Sequence, residues 1–194
     1  MRILVISQYF YPENFRINDL YLSLKKRGHK ISVLTGKPNY PKGEYFEGYS
    51  WNTKSFETIK GIDVYRSNLF LRKNGKGFNL VLNYLSFTFF ATLKLFWIDE
   101  KFDKILIYAP SPITVGFIGF FAKIKFKVKS FLWVHDLWPE SVKVAGNIHN
   151  KFILSLINIM TSIIYSLNDI ILVQSPLFKD YIKKQGVADE KLIY

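Results

Sequence analysis

Short, continuous apolar runs alternate along the chain with segments whose apolar residues recur every three or four positions. Continuous runs of this length are typical of parallel strands that are buried on both faces. Between the first two runs, Ile17, Leu20, Tyr21 and Leu24 have the spacing of an amphipathic helix, and Gly28 suits the position just after its end. The strand-like runs occupy residues 2–7, 30–35, 103–108, 129–134 and 169–174.

Further elements extend this alternation of strand and helix. Two extended segments, 55–60 and 62–66, flank a turn at Gly61, and KLIY at 191–194 begins another strand. The alternation predicts an α/β fold: a doubly wound, mostly parallel sheet of the Rossmann-like type, in a single domain over residues 1–194. The other predicted helices occupy residues 78–97, 112–124, 152–167 and 176–185.

Two of these helices are apolar enough to raise the question of a membrane. Asn79, Asn83 and Lys94 interrupt the segment 78–97, and the segment 152–167 is shorter than the ~20 residues that a spanning helix needs. We therefore expect both to be buried helices that cover the sheet. The first residues, MRILVIS, have the pattern of a strand rather than of a signal peptide.

Composition narrows the class of partner. The chain carries 27 Lys and Arg against 15 Asp and Glu, a formal charge of +12, which favours an anionic partner such as a phosphorylated small molecule or an anionic lipid. A basic surface without a specific partner is the alternative. Nucleic acid is not expected, because the lysines are scattered and no nucleic-acid-binding motif is present. With no cysteine and three histidines far apart in sequence, no metal site is predicted.

The least expected polar residues follow the strands. In an open parallel sheet, ligands bind beyond the carboxyl ends of the strands, so the loops there are expected to form one cleft. The dinucleotide motif GxGxxG, the P-loop and the serine motif GxSxG are all absent. The polar loops are QYFYPENFR (8–16), GKPNYP (36–41), APSP (109–112) and HDLWPE (135–140).

The loop HDLWPE offers the candidates for catalysis. His135 is suited to hydrogen-bond a sugar hydroxyl or a phosphate oxygen, or else to satisfy a backbone carbonyl. Asp136 and Glu140 are candidates for a base or a substrate anchor, and equally for helix-cap or first-turn acids. Trp138 is a candidate for stacking on a sugar or for packing in the core.

The other loops contribute candidate binding residues. Tyr40 and Ser111 are predicted to contact the substrate. Asn14 and Arg16 lie at the predicted start of the first helix, where free N–H groups and the helix dipole favour an anion. A solvated residue at the helix start is the alternative interpretation of Arg16.

Taken together, these motifs resemble a known family. They are QYFYPENFRINDL (8–20), LKKRGHKISVLTGKPNYPKGEYFEGY (24–49) and SFLWVHDLWPES (130–141), with weaker support from DIILVQSP (169–176). In these residues the chain resembles the N-terminal half of the GT4-type retaining glycosyltransferases with a GT-B fold. Within them it is most similar to the WbuB/WcaI-like branch of bacterial surface-polysaccharide enzymes, and the likeness runs over essentially the whole chain.

The resemblance implies two facing Rossmann-like domains with the active site between them, of which this chain is the acceptor-side domain. It implies metal-independent transfer, without a cofactor, from a nucleotide-sugar to a glycan acceptor, often lipid-linked, in the synthesis of capsule or O-antigen. It implies a cytoplasmic protein peripheral to the inner face of the cell membrane. It also implies that His135 contacts the donor sugar near the reacting carbon and that the Asn14–Arg16 turn lies near the donor phosphates.

The chain departs from the family in two respects. Many relatives have paired glycines in the first turn, where this chain has Glu13-Asn14-Phe15-Arg16. The donor-binding domain, with its basic phosphate-binding residues and an E-x7-E motif, is absent from the sequence, so the chain is expected to be an excised domain, the product of a truncated gene or half of a split enzyme. The isolated chain is therefore expected to be inactive as a glycosyltransferase.

Two other functions fit the sequence. One is a non-catalytic scaffold that docks on an anionic membrane and recruits a separate catalytic chain, through the two apolar helices and the alternating Lys123, Lys125, Lys127 and Lys129. The other is a small enzyme, complete in itself, that binds a phosphosugar or a nucleotide.

Overall fold

The computed structural model describes all 194 residues, and its centre is one sheet of eight strands in the order β3-β4-β2-β1-β5-β6-β7-β8. The strands are β1 Arg2–Ile6, β2 Lys30–Gly36, β3 Phe56–Ile59, β4 Ile62–Ser67, β5 Lys104–Ala109, β6 Ser130–Val134, β7 Ile170–Leu172 and β8 Leu192–Ile193. The helices are α1 Ile17–Lys26, α2 Gly77–Leu95, α3 Val115–Phe126, α4 Glu140–Ala145, α5 Lys151–Leu167 and α6 Pro176–Lys184.

The sheet is parallel except at one edge. β1 pairs with β2 and β5 in the same direction, with Ile3 opposite Ile31 on one side and Lys104 on the other. Only β3 runs antiparallel, as a hairpin partner of β4. The predicted Rossmann-like, mostly parallel α/β fold is therefore confirmed, and the carboxyl ends of β1, β2, β4, β5 and β6 share one edge of the sheet.

Alternation along the strands separates two cores, one on each face of the sheet. Ile3 and Val5 of β1 belong to the smaller core, which α1 covers with Ile17 and Tyr21. Leu4 and Ile6 belong to the larger core, which α2, α3 and α5 cover from the other side. This division follows from the two-residue period of a strand, which points successive side chains to opposite faces.

Helix α3 lies very close to the sheet, and its glycines permit this. A Cβ atom on Gly119 would lie 2.6 Å from Cγ1 of Ile107 on β5, and one on Gly116 would collide with Ile164 of α5. Both glycines are buried in the middle of the helix. Their lack of a side chain therefore fixes how closely α3 fits between the sheet and α5.

The helix boundaries differ from the predictions in two places. α3 begins at Val115 rather than at Pro112, because residues 111–114 form a turn in which the carbonyl of Ile113 accepts the N–H of Gly116 at 2.9 Å. The short helix α4 was not predicted, because it has no buried residue and so leaves no apolar pattern in the sequence.

The two apolar helices cover the sheet, but the prediction that they are buried is wrong for their outer faces. On α2, Phe78 is 77% exposed and Phe89 is 60% exposed, and on α5 Phe152 is 72% exposed. α2 is the one helix long and apolar enough to cross a membrane, and 28% of its most apolar window is buried. The hydropathy of both helices thus exceeds what their contacts with the core require.

Candidate functional site

The loops at the carboxyl ends of the strands surround a cleft of about 450 Å³. One part of its lining is aromatic, formed by Tyr9, Phe15, Tyr40 and Tyr84. The other part is polar, formed by Arg72, Ser111, His135, Asp136 and Gln174. The volume and this mixture of aromatic and convergent polar groups are typical of a site for a small molecule.

Three stacked or tilted rings form the aromatic wall. The rings of Tyr9 and Phe15 are parallel within 6° with centroids 4.7 Å apart, and Tyr40 lies against both, at 5.5 and 5.2 Å. Tyr9 and Phe15 belong to the loop after β1, whereas Tyr40 belongs to the loop after β2. Flat apolar faces of this kind suit the C–H faces of a sugar ring.

A buried carboxylate holds these two loops together. Oε1 of Glu13 accepts the N–H groups of Asn39 at 2.9 Å and of Tyr40 at 2.7 Å, and Oε2 accepts the N–H of Phe10 at 3.2 Å. Burial nevertheless raises the pKa of Glu13 to about 7, because the desolvation of the carboxylate outweighs these three donors. Glu13 thereby positions Tyr40 against the rings of Tyr9 and Phe15.

His135 follows β6 and lies between two rings. The Tyr108 and Trp133 ring centroids are each 4.5 Å from the imidazole centroid, and Nε2 has no hydrogen-bond partner within the protein. Burial, together with the nearby Arg16 guanidinium, lowers the pKa of His135 to about 4. The imidazole is therefore neutral at neutral pH and is suited to hydrogen bonding rather than to carrying a charge.

Asp136 and Ser111 lie beside His135 in the polar part of the lining. Asp136 is half-buried, and burial raises the pKa of its carboxyl above the ordinary value. A carboxylate in this setting is a stronger base than a solvated one, and it accepts hydrogen bonds from hydroxyl groups.

Arg72 brings a positive charge to the aromatic wall. Its guanidinium lies 4.9 Å from the Tyr40 ring centroid, and Nη1 donates to the Tyr9 hydroxyl at 3.3 Å, while Nε has no partner. Guanidinium groups bind phosphate and carboxylate groups through paired N–H donors. The cleft therefore combines a cationic group with flat rings and neutral polar groups.

The predicted anion-binding residues lie at the edge of the cleft rather than in its lining. Arg16 is exposed at the start of α1 and acts electrostatically on His135. Asn14 is exposed in the same turn. The structure thus brings Arg16 close to His135, and His135 shares the lining of the cleft with Asp136, Tyr40 and Ser111. The roles predicted for these residues stay predictions.

Two predicted residues lie away from the cleft, and both placements correct the expectation that they touch substrate there. Trp138 is only 7% exposed and packs in the larger core, with its ring 6.5 Å from that of Tyr84, so it is a packing residue rather than a stacking platform. Glu140 is exposed as the first residue of α4. It is a first-turn acid, the alternative that its sequence position also allowed.

Sequence reasoning missed Tyr9, Glu13 and Arg72. The first two lie inside the loop 8–16, which the sequence pattern singles out as a whole without ranking its members. Arg72 lies in the loop after β4, a segment that the sequence predicts only as extended chain beside a turn. The parallel pairing of β4 with β2 places this loop at the same edge of the sheet as the cleft.

No group of three His, Cys, Asp or Glu side chains is close enough together to hold a metal ion. The polar lining of the cleft instead offers donors and acceptors suited to an organic ligand, and Arg72 and Arg16 offer positive charge for an anionic part of it.

Comparison with protein-family models and with curated protein sequences gave no match. Several solved structures have a similar fold. A trehalose-6-phosphate protein from E. coli bound with UDP-2-fluoro glucose matches with a TM-score of 0.62 at 12% identity, covering 95% of this chain and 42% of that one. The chain shares the Rossmann-like domain fold of GT-B glycosyltransferases.

Two further structures support the same GT-B domain fold. Anabaena Alr3699/HepE in complex with UDP-glucose matches with a TM-score of 0.55 at 10% identity, over 100% of this chain and 43% of that one. The catalytic domain of starch synthase IV from Arabidopsis thaliana, bound to ADP and acarbose, matches with a TM-score of 0.56 at 12% identity, over 99% and 50%. The chain thus spans half or less of the length of these proteins.

Proposed function

We propose that the chain is the acceptor-binding domain of a retaining, metal-independent glycosyltransferase. In this proposal the enzyme moves a sugar from a nucleotide-sugar to a lipid-linked glycan acceptor in surface-polysaccharide synthesis. The single observation that carries it is the cleft, in which stacked rings, a guanidinium and a neutral histidine converge at the ligand-binding edge of a GT-B-type domain.

In this proposal the aromatic wall and Arg72 bind the acceptor. A sugar ring stacks on Phe15 and Tyr40, while the buried Tyr9 supports the Phe15 ring. The Arg72 guanidinium binds the phosphate that links the sugar to its lipid. The position of Arg72 over the Tyr40 ring and its hydrogen bond to Tyr9 support this role, because a guanidinium held in place loses little freedom when it binds an anion.

His135 and Asp136 act at the reacting end of the same cleft. The neutral imidazole of His135 hydrogen-bonds a hydroxyl of the donor sugar, and its low pKa supports a role without charge. The Asp136 carboxylate orients the acceptor hydroxyl and accepts its proton. As the new glycosidic bond forms, the bond between the donor sugar and the diphosphate breaks, and the nucleoside diphosphate leaves with the bonding electron pair. Arg16, with Asn14 in the same turn, lies beside the donor phosphates, which a second domain holds.

Titration of the chain with a water-soluble, short-chain prenyl-diphosphate saccharide tests the proposal. We expect saturable binding by isothermal titration calorimetry. Arg72→Ala should weaken binding about tenfold, which corresponds to the loss of one charge-assisted hydrogen bond. His135→Ala should change binding of this acceptor analogue little, because its proposed partner is the donor sugar.

Matched substitutions outside the cleft control for fold and charge. Arg27→Ala removes an exposed arginine at the end of α1, and His149→Ala removes an exposed histidine before α5, so both should bind like the unchanged chain. Absence of saturable binding, or equal losses in Arg72→Ala and Arg27→Ala, contradicts the proposal.

A further inference from the structure

The outward faces of α2, α3 and α5 form one continuous apolar surface, which we call the apolar helix layer. α2 and α5 lie on either side of α3 on the same face of the sheet. The residues of α2 that face outward recur every three or four positions, so they form one stripe along the helix. They are Phe78, Val81, Leu85, Phe89 and Leu93, with Phe96 directly after the last turn.

The stripe on α5 repeats this arrangement. Phe152, Leu156, Ile159 and Ile163 are exposed along the helix, while Thr161, Ile164 and Tyr165 are buried on its opposite side. Between the two stripes, α3 adds the exposed Phe121 and Ile124. Large exposed apolar patches are uncommon on proteins that function without a partner, so this one indicates a docking surface.

The buried side of α2 carries polar groups in addition to the core residues Phe87, Ala91 and Leu95. Asn83 accepts from Gln8 at 2.7 Å and donates to the carbonyl of Phe70 at 2.7 Å, and the Ser86 hydroxyl accepts the N–H of Phe70 at 2.8 Å. These buried hydrogen bonds would be lost if α2 left the domain to cross a bilayer. α2 therefore stays packed on the sheet and can contact a bilayer only by lying parallel to the membrane surface.

The charges in and around the apolar helix layer indicate what kind of partner binds there. None of α2, α3 and α5 contains Asp or Glu. Exposed lysines border the layer: Lys73 and Lys76 precede α2, Lys127 follows α3, and Lys151 begins α5. Phenylalanine and leucine side chains surrounded by lysines fit the boundary of an anionic bilayer, where rings enter the acyl region and ammonium groups meet phosphates.

Two of the four alternating lysines that the sequence suggested for membrane docking bind other parts of the protein. Lys123 forms an ion pair with Asp169 at 2.8 Å, and Lys125 donates to the carbonyl of Ile98 at 2.7 Å near the end of α2. Lys127 and Lys129 remain exposed. The lysines that border the helix starts, rather than the alternating series, thus provide most of the charge at the layer.

We propose that the apolar helix layer docks in plane on an anionic lipid bilayer. Each of its helices begins after the carboxyl end of a strand, so the helix starts lie at the same edge of the sheet as the cleft. The loop before α2 carries both Lys73 and the cleft residue Arg72. Docking therefore places the cleft next to the lipid headgroups, and this inference does not depend on any sugar being transferred.

Vesicle co-sedimentation of the 194-residue chain tests the proposal. We expect binding to phosphatidylcholine vesicles with about 30% phosphatidylglycerol, and much weaker binding to phosphatidylcholine alone. Binding should fall between about 50 mM and about 500 mM salt, because the lysine contribution is screened. The double variant Phe78→Ser/Phe89→Ser should reduce the bound fraction about tenfold, as two rings no longer enter the bilayer.

Two matched controls distinguish the layer from the rest of the surface. Phe56→Ser removes a 49% exposed phenylalanine on the edge strand β3 and should bind as before. Lys73→Gln/Lys76→Gln should weaken binding several-fold, whereas Lys26→Gln/Arg27→Gln on α1 loses the same charge from the opposite face and should have little effect.

Several outcomes would overturn the inference. They are no binding to anionic vesicles at low salt, equal losses in the layer variants and the controls, or a dimer by analytical ultracentrifugation that Phe78→Ser/Phe89→Ser dissociates. The last result would assign the layer to a second copy of the chain. Because no saccharide is present, failure in this experiment leaves the saccharide titration unaffected, and each proposal can fail separately.

Discussion

Helices α1 and α2 cover opposite faces of the same sheet but differ in what they leave outside. α1 turns Ile17 and Tyr21 inward and leaves its charged residues in solvent. α2 buries Phe87, Asn83 and Ser86 and leaves other phenylalanines outside. Burial of apolar area explains the orientation of α1. The orientation of α2 combines apolar burial with buried hydrogen bonds, whereas its outward rings contribute little to the core.

The largest expected effect on stability tests the difference between the apolar contacts of α1 and α2. Ile17→Ala on α1 should lower the free energy of unfolding by about 3 kcal/mol, because the side chain is fully buried and a cavity remains. Phe89→Ala on α2 removes a larger side chain and should lower it by less than about 1 kcal/mol, since that ring is 60% exposed. Urea denaturation measures both. Equal losses in the two variants would mean that the outward rings of α2 stabilise the fold as much as the inward side chains of α1 do.

The next prediction concerns the polar contacts of α2. Asn83→Ala should lower the free energy of unfolding by about 2 to 3 kcal/mol, because the Gln8 amide and the Phe70 carbonyl each lose a buried partner. Asn79→Ala, one turn earlier and with no such bonds, is the matched control and should be neutral or slightly stabilising. Urea denaturation compares the two variants, and a neutral Asn83→Ala would mean that buried hydrogen bonds do not orient α2.

A buried polar group also lies just before α1, and its effect depends on pH. The folded-state pKa of Glu13 is raised to about 7 from 4.5, so the folded chain binds more protons than the unfolded chain between these values. Its contribution to stability is therefore greatest at low pH. It should fall by about 2 kcal/mol from about pH 5 to about pH 8.

The difference between the unchanged chain and Glu13→Gln isolates this effect. His135 acts in the opposite sense, because its folded pKa of about 4 lies below the ordinary 6.5, so its contribution is lost as pH falls through this range. Urea denaturation of both proteins at each pH supplies the difference. A difference that grows in favour of the unchanged chain as pH rises would show that Glu13 is charged throughout.

The smallest expected effect on stability concerns the side-chain caps at the starts of the helices. α1 and α2 have no side-chain cap, whereas the Asn150 side chain accepts the N–H groups of Phe152 at 3.0 Å and Ile153 at 3.2 Å at the start of α5. Asn150→Ala should lower the thermodynamic stability by about 1 kcal/mol, and Asn150→Asp should preserve it. Thermal denaturation is sufficient to compare them. Similar losses in both variants would exclude the cap as the cause.

The fold was predictable because its signals are local. Continuous apolar runs identified the strands, and their alternation with helices implied parallel pairing, so the shared edge followed. The same rule brought His135, Asp136, Tyr40 and Ser111 together in advance. It failed for Arg72, because β4 was not recognised as a parallel strand and the loop after it was left out.

The remaining errors arise where the direction in which a side chain points matters more than its residue type. Trp138 lies three residues after His135, yet its side chain points into the core, and no pattern in HDLWPE distinguishes the two directions. The orientation of α2 was hidden for a related reason. Hydropathy alone predicted burial for its phenylalanines, whereas the partners that turn Asn83 inward, Gln8 and Phe70, are distant in sequence or in a loop.

Glu13 couples the two segments that form the aromatic wall. Since one carboxylate holds the backbone of Asn39 and Tyr40 while it also accepts from Phe10, neither loop can shift alone without breaking a buried bond. A ligand that displaces the Tyr40 backbone must therefore also move the turn that carries Phe15 or break the bond to Glu13. The wall changes shape as a unit, so two loops far apart in the chain respond together to whatever enters between them.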